Sequence, residues 1–586
     1  MSFAKAFQRA GIKPTTPPTE DEADWQPPEP EQVPMMYRAQ IQGRCSLQYG
    51  KNNHDLKRWT KEWVYPNNED EQKPFYQNLE PSLGRDESIY RLKITFPFRV
   101  LTNCGQDSIL RPTIGVNGIP FIPGSSIKGL FQRLCYHPQV SDALKNQVKD
   151  YCGTPEEPGI LRFHGAYPVG DWAGTTTVEL KNKSLETRYR MVDVVHPQQP
   201  RQVQEQGSPK AIAAISFYQP TFIFELSSTE VLSGEQWKTI GGLLKRALRL
   251  GLGGKTSTGY GLYVIPQDQY SLSLDLSGRG VSSLLRSDEP EFRPNLFKAT
   301  LRGHLTRLLA GVIGEQHLIN NTIDKLFGHT TEPGILQLYW ETKPGFPKPF
   351  NYGFEQTPSY EIEGTLYLDA PSQHLNILRT LLKFTVVMAG LGKSWRRVWH
   401  EKFYPNYQAR GIGCHWQLLD SSFDFPKIQT EADLQDFLNS VREEVCNYLK
   451  INLNYNTPYM PWKEAWHPQR LSVYSQVVSQ SEAITLFHDP KFKTTPAIGG
   501  RKPRDERPTS FSCVWHRMLP INSSEYLEII TIFHGGGGFI PRDYPWSDKW
   551  CRENSQGQKE NQFPLFVGKL KNQGFQLTWG TEVDLN

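Results

Sequence analysis

The feature that most constrains this chain is that parts of it are written twice. GIPFIPGSSIKGLFQRLCY, beginning at Gly118, reappears as RPNLFKATLRGHLTRLLAG from Arg293. Each passes from an extended stretch through a short polar step and a basic residue followed by Gly into an amphipathic helix. YCGTPEEPGILRF from Tyr151 pairs with LFGHTTEPGILQLY from Leu326, and ALRLGLGGKTSTGYG from Ala247 with FTVVMAGLGKSWRRVW from Phe384. Lys128 and Arg302 stand 174 residues apart and Gly159 and Gly334 stand 175 apart, but Lys255 and Lys393 only 138, so the second copy is 37 residues shorter between its last two matches. Matches in one order at coherent offsets define a repeated unit. The sequence of strand, turn, helix, strands, helix, Gly-rich turn and strand predicts an α+β chain of two ferredoxin-like β-α-β-β-α-β units in tandem, with insertions.

The domain reading follows. Residues 1–12 could form a short basic amphipathic helix, and PTTPPTEDEADWQPPEPEQVP after them is too polar and Pro-rich to offset its chain entropy, so 1–35 is expected to be a disordered tail. The first domain is expected over 36–270 and the second over 271–586, with 405–586 showing no further repeat. The 37-residue excess falls on 181–215, a basic, Pro-containing stretch expected to form an extended hairpin or loop. Helices are predicted at 235–249 and 432–450, and strands at YRLKITFPFRVL, Tyr260–Ile265 and 525–533. The net charge is only +4, so any nucleic-acid contact needs its basic residues gathered on one surface. Eight Cys without a CxxC pair fit reduced thiols better than a zinc module. No leader-like apolar region starts the chain and no run is long enough to span a membrane, so a cytosolic protein is expected.

Two turns carry the candidate chemistry. In Pro123-Gly124-Ser125-Ser126-Ile127-Lys128-Gly129 small hydroxyl residues begin a helix, where free N–H groups and the helix dipole favour an anion and Lys128 adds a charge. A simple capped helix explains the same residues. Gly251 to Gly261 (GLGGKTSTGYG) suggests a phosphate loop, but a Walker A needs Gly five residues before Gly254, and Arg249 stands there. The order is also inverted, helix before loop and strand after, so no nucleoside triphosphate cofactor is expected. A Gly-rich turn with Gly253, Gly254, Lys255, Thr256 and Ser257 can still cradle a diester phosphate. The second copy has Arg302 for Lys128, and Lys393, Arg396 and Arg397 interleaved with Trp395 and Trp399. That pattern suits phosphate pairing with base stacking, or a corner that packs Trp inward.

IPGSSIKG, the PGIL turn, Gly165-Ala166-Tyr167-Pro168 and GGKTSTGYG, in that order, resemble the RAMP superfamily, the ferredoxin-like backbone subunits of type III CRISPR effectors. Met191-Val192-Asp193-Val194-Val195-His196-Pro197 resembles the signature of the subunit that caps the backbone filament. The likeness covers about residues 90–265 well and 290–400 more loosely. It implies a subunit binding guide RNA (crRNA) and target RNA beside other effector subunits, with both turns on guide phosphates. It makes 181–215 a thumb, with Arg188, Arg190, Arg201 and Lys210 on phosphates.

The family cuts target RNA with an Asp just before the PGSS turn. The acid here is Asp107, displaced from the family position, with Leu110 or Arg111 beside Pro112. Cutting by that route would call on Mg2+ or another divalent cation; a loop-capping Asp is the other reading. In the second copy Asp288 and Glu289 occupy the matching loop. A stand-alone RAMP endoribonuclease processing precursor guide RNA is the alternative function, but no paired His or metal-ligand spacing supports it. A metabolic enzyme is disfavoured by the failed Walker spacing and the repeat.

Overall fold

The computed structural model describes residues 89–582, except 103–111, 115–119, 138–139, 180–182, 196–200, 205–211, 257–258, 264–269, 286–288, 330–333, 389, 405–406, 420–422, 455–456, 494, 499–511, 535–549 and 554–558. The expected tail, Asp107, Lys210, Ser257 and Asp288 lie outside the described residues. The chain is a mixed helix-and-sheet protein built on antiparallel sheets.

The first sheet joins β1 (Tyr90–Thr95), β2 (Leu161–Val169) and β3 (Thr221–Ser228) in the order β1-β3-β2. Three helices accompany it: α1 (Gly124–Tyr136), α2 (Asp142–Cys152) and α3 (Gly234–Arg249). α3 begins in a capping box, Ser233 accepting from the Gln236 amide while Gln236 accepts from the Ser233 amide, which satisfies two helix-end groups at once. Ile240, Leu244 and Leu248 on its inner face are buried, as are Ile127, Phe131 and Leu134 on α1. The strand expected at Tyr260–Ile265 is not formed at its start: Gly259 to Gly261 is a turn, because the Gly261 amide is drawn to the Arg99 carbonyl and its own carbonyl to the Leu252 amide.

The second sheet runs β5 (Gln337–Thr342), β6 (Thr357–Asp369), β4 (Leu272–Val281), β7 (Cys414–Leu418), all antiparallel. β4 reads LSLDLSGRGV, and its alternation puts Leu272, Leu274 and Leu276 in the core, the period-two signature of a strand with one buried face. A Cβ at Gly278 would stand 2.5 Å from the Trp416 ring, so only glycine lets that indole lie across the strand. α4 (Asn295–Ala310), α5 (Gln316–Phe327) and α6 (Leu375–Met388) pack on this sheet.

A third sheet was not expected. β8 (Leu471–Val478), α8 (Ala483–His488), β9 (Val514–Pro520), β10 (Tyr526–Phe533), α9 (Phe563–Asn572) and β11 (Gln576–Gly580) follow one another, and the strands pair as β9-β10-β8-β11. Numbered within each unit, both the second and third sheets have the order 2-3-1-4. α7 (Glu431–Leu449) lies between them, touching α4, α6 and β11, and one continuous apolar core embraces Leu274, Leu305, Leu438, Trp466, Ile530 and Trp579.

Candidate functional site

At the start of α1, Ser125 and Ser126 are exposed and Lys128 is half-buried. No side chain caps this helix. The Ser126 and Ile127 amides both reach the Pro123 carbonyl, while those of Gly124 and Ser125 have no partner among the described residues. The helix start is pressed against β2: a Cβ on Gly124 would meet the Phe163 carbonyl oxygen at 1.9 Å. Glycine is therefore required there, and two open amides, two hydroxyls and a lysine share one turn.

The Gly-rich turn is built differently. Gly253, at φ +77°, lies so close to the Leu101 carbonyl that a Cβ would approach it to 2.2 Å, and the Gly254 amide donates to that carbonyl at 2.6 Å. The amides of Leu252 and Gly259 are used inside the turn, by the carbonyls of Gly261 and Thr256. Thr256 packs against Gly251, and Lys255 holds a left-handed φ of 61°. Of the residues expected to cradle a phosphate, Gly254 thus spends its amide on closing the turn against the Val100–Leu101 segment.

The two turns stand at opposite ends of the first sheet. Phe163, beside Gly124, pairs with Leu226, which pairs with Tyr90 at the start of β1. Leu101, beside Gly254, lies past the other end, where Val100 bridges Phe217. At about 3.3 Å per residue, the stretch between Phe217 and Leu226 separates the turns by roughly 20–30 Å. They cannot grip one phosphate.

Other expected contacts are spent internally. Arg190 donates to Glu289 at 3.2 Å and to the Tyr218 hydroxyl at 2.8 Å, so Glu289, matched above with the catalytic loop, joins the first unit to the second. Arg99 does the same, fully buried and bidentate on Glu291 at 2.8 and 2.6 Å. Arg302 holds the Gly328 carbonyl and Asp324 at 2.8 and 2.9 Å, fastening α4 to the end of α5. Arg397 bonds the Val514 and Ile498 carbonyls and the Ser512 hydroxyl, and its burial draws its pKa down to about 10. Arg396 is buried and paired with Glu464. The expected exposed Arg and Trp surface is therefore an interior corner, with Trp399 fully buried. Lys393 remains exposed.

Glu464 was missed by the sequence reading. It has no exposed surface, accepts from Arg307 Nε at 2.8 Å and Nη2 at 2.5 Å, and also receives Arg396. Arg307 lies over the rings of Trp395 and Trp515. The acid has no local signal, because it stands 157 residues beyond Arg307.

The insertion is a pair of hairpins, Thr175–Glu179 with Leu185–Tyr189 and Val192–Val195 with Ile212–Ile215, the second enclosing a short helix, Arg201–Gln204. Arg188 sits opposite Thr176 in the first hairpin, and Arg201 begins the short helix. Val203 is only 2% exposed, belongs to the core of the second and third units, and its carbonyl accepts from the Glu464 amide at 3.1 Å. The arm thus docks on its own chain and contributes Val203 to that core.

In the third unit the start of α8 is filled. Glu528, fully buried, accepts from the Ser481 hydroxyl at 2.5 Å, the Glu482 and Ala483 amides at 2.9 and 3.2 Å, and pairs with His516 Nε2 at 2.8 Å. An internal carboxylate takes the place that an outside anion could take on α1. Among the described residues, no group of three or more His, Cys, Asp or Glu could hold a metal ion. No helix among them is long and apolar enough to cross a membrane.

Residues 105–264 match the RAMP superfamily. The match covers 160 of the 586 residues. It contains both turns and the insertion. No protein of curated function matches the chain. Among solved structures, it is similar to Cmr1 from Pyrococcus furiosus at 15% identity, over 53% of this chain and 98% of that one, with a TM-score of 0.34. It is similar to Cmr6 from Pyrococcus furiosus at 17% identity, over 31% and 100%, with a TM-score of 0.20. A chain of the type III-B Cmr-beta complex bound to cognate target RNA shows 19% identity over 31% of this chain, with a TM-score of 0.23. The match spans 59% of that chain's length.

Proposed function

We propose that this chain is a guide-RNA-binding backbone subunit of a type III CRISPR effector complex, working beside other effector subunits on target RNA. The observation that carries the reading is the RAMP match over 105–264, in which an uncapped helix start presents Ser125 and Ser126 to solvent beside the half-buried Lys128. The units are read as ferredoxin-like: the 2-3-1-4 order of the second sheet supports this, and the first sheet's 1-3-2 order is that topology without its fourth strand. The tandem is then three units long rather than two, with the third over 471–580. Lys255, on the far turn, would meet a different phosphate of the same strand.

Native purification with sequencing of the bound RNA tests the assignment. Uniform guide-sized RNA with several co-purifying proteins supports it, and a chain that purifies alone without RNA refutes it. Lys128→Ala with Lys255→Ala should weaken RNA binding evenly across sequences and lower the salt slope by about two. Target cutting is assigned to Asp107 on the resemblance alone. Asp107→Ala in the assembled complex should remove one band from a labelled-target cleavage ladder, and survival of every band makes the chain a scaffold.

A further inference from the structure

An open cleft of about 510 Å³ lies in the third unit between α8 and α9, closed on one side by Tyr404 from the preceding segment. Tyr404 and His488 line it as a stacked pair, their rings within 7° of parallel and 5.4 Å apart between centroids. Tyr407 backs His488 at 5.0 Å. The cleft is also lined by residues whose neutral side chains both donate and accept: Thr485, Asn572 and Gln573. The side-chain oxygen Oε1 of Gln573 is buried without a hydrogen-bond partner among the described residues. At the rim Lys569 is held by Asp489 at 2.5 Å, so the cleft carries no strong net charge of its own.

A ligand that satisfies these walls has a flat aromatic face for the ring pair and an edge of mixed donors and acceptors for the amides. Stacking accepts any such ring, whereas paired amides read its edge. A carboxylate or bare phosphate is poorly served, because Lys569 at the rim is neutralised by Asp489. A purely aliphatic group leaves the amides unpaired, which costs binding. The cavity exceeds the volume of one base and suits a nucleotide. Burial, with Lys493 and Arg397 nearby, holds His488 below its ordinary pKa, which keeps the ring neutral for stacking.

We infer that this cleft binds a single unpaired nucleobase, presented by an RNA strand or by a free mononucleotide. The site lies outside residues 105–264 and is independent of the phosphate-binding reading of that segment. The full chain is titrated with two probes: 2-aminopurine riboside monophosphate, and a single-stranded RNA with one 2-aminopurine. Stacking on Tyr404 and His488 should quench the emission. Thr485→Val and Asn572→Ala, both at exposed positions, should each weaken the quenching titration about fivefold, the size of one lost neutral hydrogen bond. Quenching of the mononucleotide identifies a free nucleotide site. Quenching of the strand alone identifies a base captured from RNA. If neither probe is quenched, or if quenching survives both substitutions unchanged, the inference is wrong. Loss of RNA binding in the Lys128 and Lys255 variants with mononucleotide quenching intact would separate the two readings.

Discussion

Replacing Glu464 by Gln should loosen the joint between the second and third units. The side chain keeps its shape but loses the charge that compensates Arg307 and Arg396, both of which are buried. Removing one partner from a buried ion pair costs about 3–5 kcal/mol, because the remaining charge is stranded. The apolar core joins the two units from Leu272 to Trp579, so they should melt together. At about 2.1 cal/mol/K per residue, roughly 300 residues give a melting entropy near 0.6 kcal/mol/K and a fall in Tm of about 5–8 °C. Calorimetry of the full chain reads both the shift and the number of transitions. The pH dependence gives a second arm. Burial pushes the Glu464 carboxyl up, but Arg396 and Arg307 outweigh it and hold the group below the ordinary Glu value. A pKa lowered by folding contributes stability above the unfolded value of about 4.3 and loses it as pH falls below that. The Gln variant should lack this acid-induced loss. Replacing all three residues together, Arg307→Met, Arg396→Met and Glu464→Leu, should recover most of the stability. A shift under about 2 °C at neutral pH, or separate melting of the two units in the unaltered chain, would refute the reasoning.

Other outcomes are expected. Val203→Asp, or deletion of 198–208, should destabilise the second and third units by at least the roughly 1.5–3 kcal/mol that burying a valine supplies; a deletion that leaves the melting curve unchanged would show that the docked arm is dispensable. Arg99→Ala should leave Glu291 with only the longer Arg293 contact at 3.6 Å and cost at most about 3–5 kcal/mol, read as earlier protease cleavage between 95 and 290. His400, driven by burial to a pKa of about 3, is neutral when folded. Its contribution is complete above the unfolded value of about 6.5 and is lost as pH falls from there toward 3, at up to about 1.4 kcal/mol per pH unit. His400→Asn should flatten the acid side of the Tm–pH profile. Glu528→Gln should weaken the start of α8 and lower stability by about 1–3 kcal/mol, seen in denaturant unfolding.

Much of the second unit was readable because its strands and helices follow a clean period and its turns repeat recognisable glycines. Beyond it only isolated elements were readable: the helix expected at 432–450 is Glu431–Leu449, and the strand expected at 525–533 is Tyr526–Phe533, one strand of the third sheet. The third unit escaped notice for physical reasons. Its first helix has only six residues and is capped by Glu528 from another strand, so it needs no PGSS turn. Its second helix reaches β11 through Lys571 to Gly574 without a glycine-rich loop. Arg396 and Arg397 misled for a related reason: an arginine beside tryptophan looks the same on an RNA-binding surface and over a buried ring. What separates the two is a partner such as Glu464, which local patterning cannot find.

The position of Glu464 also bears on how the chain is made. Arg307 and the Val203 carbonyl both wait for a residue that leaves the ribosome 157 residues after Arg307. At about 5–20 residues per second, that interval lasts roughly 8–30 s. Over its last part, once β7 has been made at Leu418, the second unit has its strands and helices but no counter-ion for its central arginine and no cover for the indole rings around it. The nascent chain is then at its most exposed to aggregation, and a message truncated before codon 464 should yield a product held by chaperones rather than a free smaller protein.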